Sequence, residues 1–178
     1  MKDNILVDTS IWIEFFNKDH SAPGDTLEQM LLEGRVLTTG IVLTELLQGA
    51  KVEHEFEAIK ETLTALPFLE PSLTTWIGAG RISFSLRRKG ITIPTTDLII
   101  GSLALENLCS VFTLDPRFQK IPNLKILETE KPKRKCSKYH SPPAPSRSLE
   151  APAVAHSTSR SALSSRPKGS GLWRVTLW

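Results

Sequence analysis

Ile5-Leu6-Val7-Asp8-Thr9-Ser10-Ile11-Trp12 is the stretch whose reading decides the fold. Three apolar residues run directly into an acid, and two hydroxyl residues then open a new apolar pattern. The run is continuous rather than alternating, which marks a strand covered on both faces, as strands of parallel sheets are. Thr9 or Ser10 is expected to cap the helix that follows. Groups at the carboxyl ends of parallel strands face the crevice where ligands bind. Asp8 stands at that end, and an acid there is costly unless something positive meets it.

Outward from this stretch, strands and helices alternate. Strands are expected at 4–8, 35–38, 110–114 and 124–127. Helices are expected at 11–16, from about Leu27 to a stop at Gly34, and at 41–50, 52–66, 73–89 and 97–107. Residues 17–24 read as a loop, and Pro67-Phe68-Leu69-Glu70-Pro71 as a short extended link. Gly78 and Gly80 sit inside the 73–89 helix, where they either admit a close neighbour or shorten it. The alternation argues for an α/β fold whose mostly parallel central sheet is flanked by helices. Trp12, Trp76, Phe84 and Phe112 read as core residues, and Cys109 as an inert core thiol.

The net charge of +3 over 178 residues sums two unlike parts. Residues 131–178 carry ten Lys and Arg against one acid, Glu150, which leaves residues 1–130 with 12 basic and 18 acidic side chains. The boundary is the basic run Lys131-Pro132-Lys133-Arg134-Lys135. Residues 1–130 are therefore read as one acidic domain, and 131–178 as a basic, Ser- and Pro-rich tail expected to be disordered. Cys109 and Cys136 make no disulfide framework, which fits a reducing, cytoplasmic setting. No signal peptide and no membrane span are expected, since no apolar run is long enough.

Four acids stand at element junctions: Asp8 after the first strand, Glu45 within Leu43-Thr44-Glu45-Leu46, Asp97 after Ile93-Pro94-Thr95-Thr96, and Asp115 after Thr113-Leu114. Singly, each has an ordinary reading as a cap, a turn or a solvated glutamate. Jointly they fall at one end of the sheet if the first and third strands are neighbours. Two carboxylates about 4 Å apart repel by about 4 kcal/mol at an effective dielectric near 20, so such a cluster calls for a cation. All-oxygen ligands select hard ions, Mg²⁺ or Mn²⁺. His20, His54, His140 and His156 have no ligand spacing, so zinc is not expected.

The ordered set Val-Asp-Thr-Ser, Thr-Glu-Leu, Ile-Pro-Thr-Thr-Asp-Leu-Ile-Ile and Phe-Thr-Leu-Asp-Pro-Arg-Phe resembles a PIN domain, and within that family the VapC toxins of bacterial toxin–antitoxin pairs. The resemblance covers residues 3–128. It implies a three-layer, Rossmann-like fold and a Mg²⁺-dependent endoribonuclease that hydrolyses RNA with metal-activated water. By position, Asp8 and Asp97 would bind Mg²⁺ directly, and Glu45 and Asp115 directly or through water. Thr9, Ser10 and Thr113 match the family's hydroxyl positions near the substrate. The resemblance also implies a cognate antitoxin and homodimers. From the sequence itself, Arg87 and Arg88 are candidates for holding the RNA backbone, with Arg81 nearby, against the plainer reading of a solvated helix end. The alternatives are a metal-dependent nuclease in RNA maturation or DNA processing, and a non-catalytic binding module whose acids only cap helices.

Overall fold

The computed structural model describes residues 3–18 and 20–127. The tail expected at 131–178 lies outside them. Four parallel strands form the sheet, β1 (Ile5–Val7), β2 (Val36–Leu37), β3 (Ser110–Phe112) and β4 (Ile126–Leu127), in the order β2-β1-β3-β4. Ile5, Leu6 and Val7 are 1%, 0% and 0% exposed. Successive strand residues point to opposite faces, so both faces of β1 are covered and the sheet is a middle layer. The register pairs Ile5 with Val36 on one side, and Ile5 with Ser110 and Val7 with Phe112 on the other. β1 and β3 are thus neighbours, as the convergence of the acids requires.

The helices are α1 (Thr9–Asn17), α2 (Ala22–Leu32), α3 (Gly40–Gly49), α4 (Glu53–Thr64), α5 (Leu73–Arg87) and α6 (Thr95–Glu106), with a short 3-10 helix at Pro116–Lys120. α1 packs against α2 and α3, α3 against α4, and α5 against α6. α2 starts before the expected position, because Ser21 caps it and Pro23 fits its first turn. The link at 67–71 does more than connect. The Thr38 amide donates to Pro67 O at 3.1 Å and the Leu69 amide to Thr38 O at 2.8 Å, so Phe68 extends the sheet beyond β2.

α6 is buried without interruption from Asp97 to Ala104. A helix with no polar face must be enclosed, and α5 supplies the outer cover. Gly78 is what lets α5 close in: a Cβ there would meet Ser102 Oγ at 2.5 Å. Ser102 Oγ in turn donates to Thr75 O at 2.9 Å. Gly80 has open space and does not shorten the helix.

Trp12 and Phe112 are fully buried, as expected, but Trp76 and Phe84 are not: they are 49% and 59% exposed. They lie on α5 with exposed Leu73 and Ile77, on the side turned away from α6. Periodicity shows that such residues share a face, not that the chain itself covers it.

Gly34 ends α2 at φ +66, with Gly34 N donating to Leu31 O and Arg35 N to Met30 O. α6 ends in the same pair of hydrogen bonds, Leu108 N to Leu105 O and Cys109 N to Ala104 O, yet the left-handed position there holds Leu108 at φ 53. Leu108 is 86% exposed, so its side chain contributes little packing. Leu108→Gly is therefore expected to stabilise the protein by about 1 kcal/mol, read as a higher urea midpoint at unchanged m-value.

Candidate active site

Asp8 is positioned by the sheet. Its amide donates to Phe112 O at 2.9 Å, extending the β1–β3 ladder by one step and seating it beside Thr113. Its backbone is still extended while Thr9 is already helical, so Asp8 itself, rather than Thr9 or Ser10, is the cap of α1. Asp8 Oδ2 accepts from Ser10 N at 3.3 Å, Ser10 Oγ at 2.6 Å and Thr113 Oγ1 at 2.8 Å. Ser10 Oγ also accepts from Leu114 N, and Thr113 Oγ1 from Asp115 N. Capping and site-building are one arrangement here: Oδ2 is fixed by three donors while Oδ1 stays out of the network.

Glu45 lies on the buried face of α3, between Val42, Leu46 and Gly49 at helical spacing. Thr9 Oγ1 donates to Glu45 Oε2 at 2.6 Å and ties it to the start of α1. Asp97 sits in the first turn of α6, buried, and its Oδ2 has no hydrogen-bond partner. Asp115 caps the 3-10 helix by accepting from Arg117 N at 2.8 Å.

The sequence reading missed Arg117. Its Nε donates to Asp115 Oδ2 at 2.8 Å, its Nη2 closes on the same oxygen, and Nη2 stands 3.5 Å from Asp97 Oδ2. The signal was the Asp115-Pro116-Arg117 turn, which puts a long cation two residues after an acid. Arg87 and Arg88 belong to the other reading: both face solvent at the end of α5, and Arg88 lies 5.6 Å from the Phe84 ring centre. Neither they nor exposed Arg81 contact the four acids.

The PIN domain family matches residues 5–124. Ribonuclease VapC2 of Rickettsia felis is 30% identical over 128 residues, spanning 69% of this chain and 95% of that protein. The fold resembles a crystal structure of VapBC2 from Rickettsia felis bound to a DNA fragment from their promoter, with TM-score 0.61 and 25% identity over 69% of this chain and 96% of that one. It also resembles DNA-bound VapBC from Salmonella typhimurium, with TM-score 0.63 and 24% identity over 71% and 98%. The chain belongs to the PIN domain family and is of the VapC type.

In this PIN domain Asp97 feels the charge of the other three acids. Burial raises the Asp97 pKa from 3.8 to about 6; Arg117 opposes the rise, and the carboxylates of Asp8, Asp115 and Glu45 add to it. The contact with Arg117 holds the Asp115 carboxyl below its usual range. No three His, Cys, Asp or Glu side chains among the described residues are already closed to ligand spacing. Each of Asp8, Glu45 and Asp115 is instead bonded to a hydroxyl or to Arg117. The residues nonetheless fit a hard divalent ion: every donor is oxygen, and Asp97 Oδ2 is buried with no hydrogen bond of its own.

The shift at Asp97 has a definite sign. Folding raises its pKa, so the folded state holds the proton more tightly. The resulting stability is complete below pH 3.8 and is lost as pH rises through about 6. Metal-free protein in chelator should melt at lower temperature at pH 7.5 than at pH 5, and Asp97→Asn should flatten that dependence and raise the melting temperature at pH 7.5. An unchanged slope in Asp97→Asn would contradict the assignment.

Proposed function

We propose that this chain is a divalent-metal-dependent endoribonuclease, Mg²⁺ or Mn²⁺ serving, and the toxin of a type II toxin–antitoxin pair acting in the cytoplasm. The observation that supports the reading is a buried Asp97 oxygen with no hydrogen bond, on a carboxylate close enough to Asp8, Asp115 and Glu45 to feel their charge. Asp8 and Asp97 would hold the ion directly, with Glu45 and Asp115 binding directly or through water. A bound divalent ion supplies Lewis acidity and lowers the pKa of water.

The chain's own residues do the rest. Ser10 and Thr113 hold Asp8 in one orientation, so its free oxygen does not have to be ordered when the site fills. Thr9 does the same for Glu45. Thr9, Ser10 and Thr113 each commit their one hydroxyl hydrogen to a carboxylate, so they serve the substrate by orienting the acids rather than by donating to phosphate. A cation in the site also reverses the local charge, which lets an acidic body receive RNA. Arg87 and Arg88 remain candidates for the outer RNA backbone only.

A cognate antitoxin is supported by the VapBC assemblies to which the fold is similar. A homodimer is supported by the exposed apolar residues Leu73, Trp76, Ile77 and Phe84, which recur at helical spacing on α5. No described helix is long and apolar enough to cross a membrane.

Asp8→Asn keeps an acceptor for Ser10 and Thr113 and removes the charge. Cleavage of RNA in Mg²⁺ should fall by about 10²-fold or more, with the circular dichroism spectrum unchanged. Cleavage at the wild-type rate would refute the reading.

A further inference from the structure

We propose that Arg117 is a resident counter-cation of the acid cluster, occupying the carboxylates that a divalent ion takes, so that loading requires its guanidinium to leave Asp97. The proposal rests on the reading of the four acids as a divalent-cation site. Arg117 reaches two of them at once, 18 positions apart in the chain: Asp115 through Nε and Nη2, and Asp97 through Nη2 at 3.5 Å. Among the described residues no other Lys or Arg pairs with any of the four acids.

The two contacts are unequal. At Asp115 the geometry is that of a charge-assisted hydrogen bond. At Asp97 the separation is too long for a good hydrogen bond, and Oδ2 has no partner at that level. Arg117 thus neutralises Asp97 without satisfying it, and the oxygen is left open to a better ligand. The Arg117 side chain is 50% exposed, against 13% for Asp97 and 20% for Asp115, so the guanidinium lies over the acids from the solvent side. It can swing out without disturbing the core.

A dication held by Asp97 Oδ2 would meet the Nη2 group that now approaches that oxygen, and the two positive groups would repel at close range. Arg117 and the metal therefore compete. With the ion absent, Arg117 offsets the repulsion among the acids. When the ion binds, that contribution must be given up, which weakens the metal's apparent affinity.

The test is calorimetric titration of Mn²⁺ into the full chain, wild type beside Arg117→Met and Arg117→Lys, with melting temperatures taken in chelator. Arg117→Met should bind Mn²⁺ about three- to tenfold more tightly and melt lower without metal, with Arg117→Lys between it and wild type. Equal or weaker Mn²⁺ binding by Arg117→Met, with wild type binding normally, would overturn the counter-cation role. Absence of Mn²⁺ binding by wild type would overturn the underlying reading of the site instead.

Discussion

The structure turns on the hydrogen bond from the Asp8 amide to Phe112 O, the last rung between β1 and β3. It brings the chain ends of two buried strands side by side, at the point where each passes from apolar to polar residues. Thr113 then lies against Asp8, and Ser10 bridges the two segments through its contacts with Asp8 Oδ2 and Leu114 N. Everything else in the site is placed relative to that pair of strands. α3 leaves β2 and brings Glu45 to Thr9, α6 runs into β3 and opens on Asp97, and the 3-10 helix leaves β3 with Asp115 at its head.

Such an arrangement gathers negative charge where solvent is scarce. Asp97 bears most of the cost: it is buried, its Oδ2 accepts no hydrogen bond, and its pKa rises accordingly. The other three acids are relieved by groups the fold supplies: serine and threonine hydroxyls for Asp8, Thr9 for Glu45, and Arg117 for Asp115. Two of these acids, Asp8 and Asp115, also serve as helix caps. A cap needs one acceptor turned toward its own helix. Here Asp97 also carries a buried oxygen, Oδ2, that no hydrogen bond reaches.

Much of this was legible in the sequence because it depends on local chemistry. A continuous apolar run ending in Val7-Asp8 specifies a buried strand that delivers an acid to an edge, and the β-α alternation makes that edge common to several strands. Glu45 alone read as an ordinary solvated glutamate and stood out only through the ordered set of motifs; the structure places it on the same helical face as Val42, Leu46 and Gly49. Two features were hidden because they depend on geometry that spacing does not encode. Arg117 reaches Asp97 only because the turn at Asp115-Pro116 folds its side chain back over the site. Trp76 and Phe84 look like core residues in any periodicity, and only the placement of α6 against the opposite side of α5 leaves them exposed. The cap of α1 was misplaced by one or two residues, since hydroxyl residues and aspartate are equally good caps and only the backbone angles decide.

The central claim is that Asp8, Glu45, Asp97 and Asp115 form one divalent-cation site. Anomalous diffraction from crystals grown with Mn²⁺ tests it most directly. The account predicts a peak bonded to oxygens of Asp8 and Asp97, with Glu45 and Asp115 at direct or water-bridged distance and Arg117 withdrawn from Asp97. Full Mn²⁺ occupancy elsewhere on the chain, with these four carboxylates empty and Arg117 still in place, would contradict it.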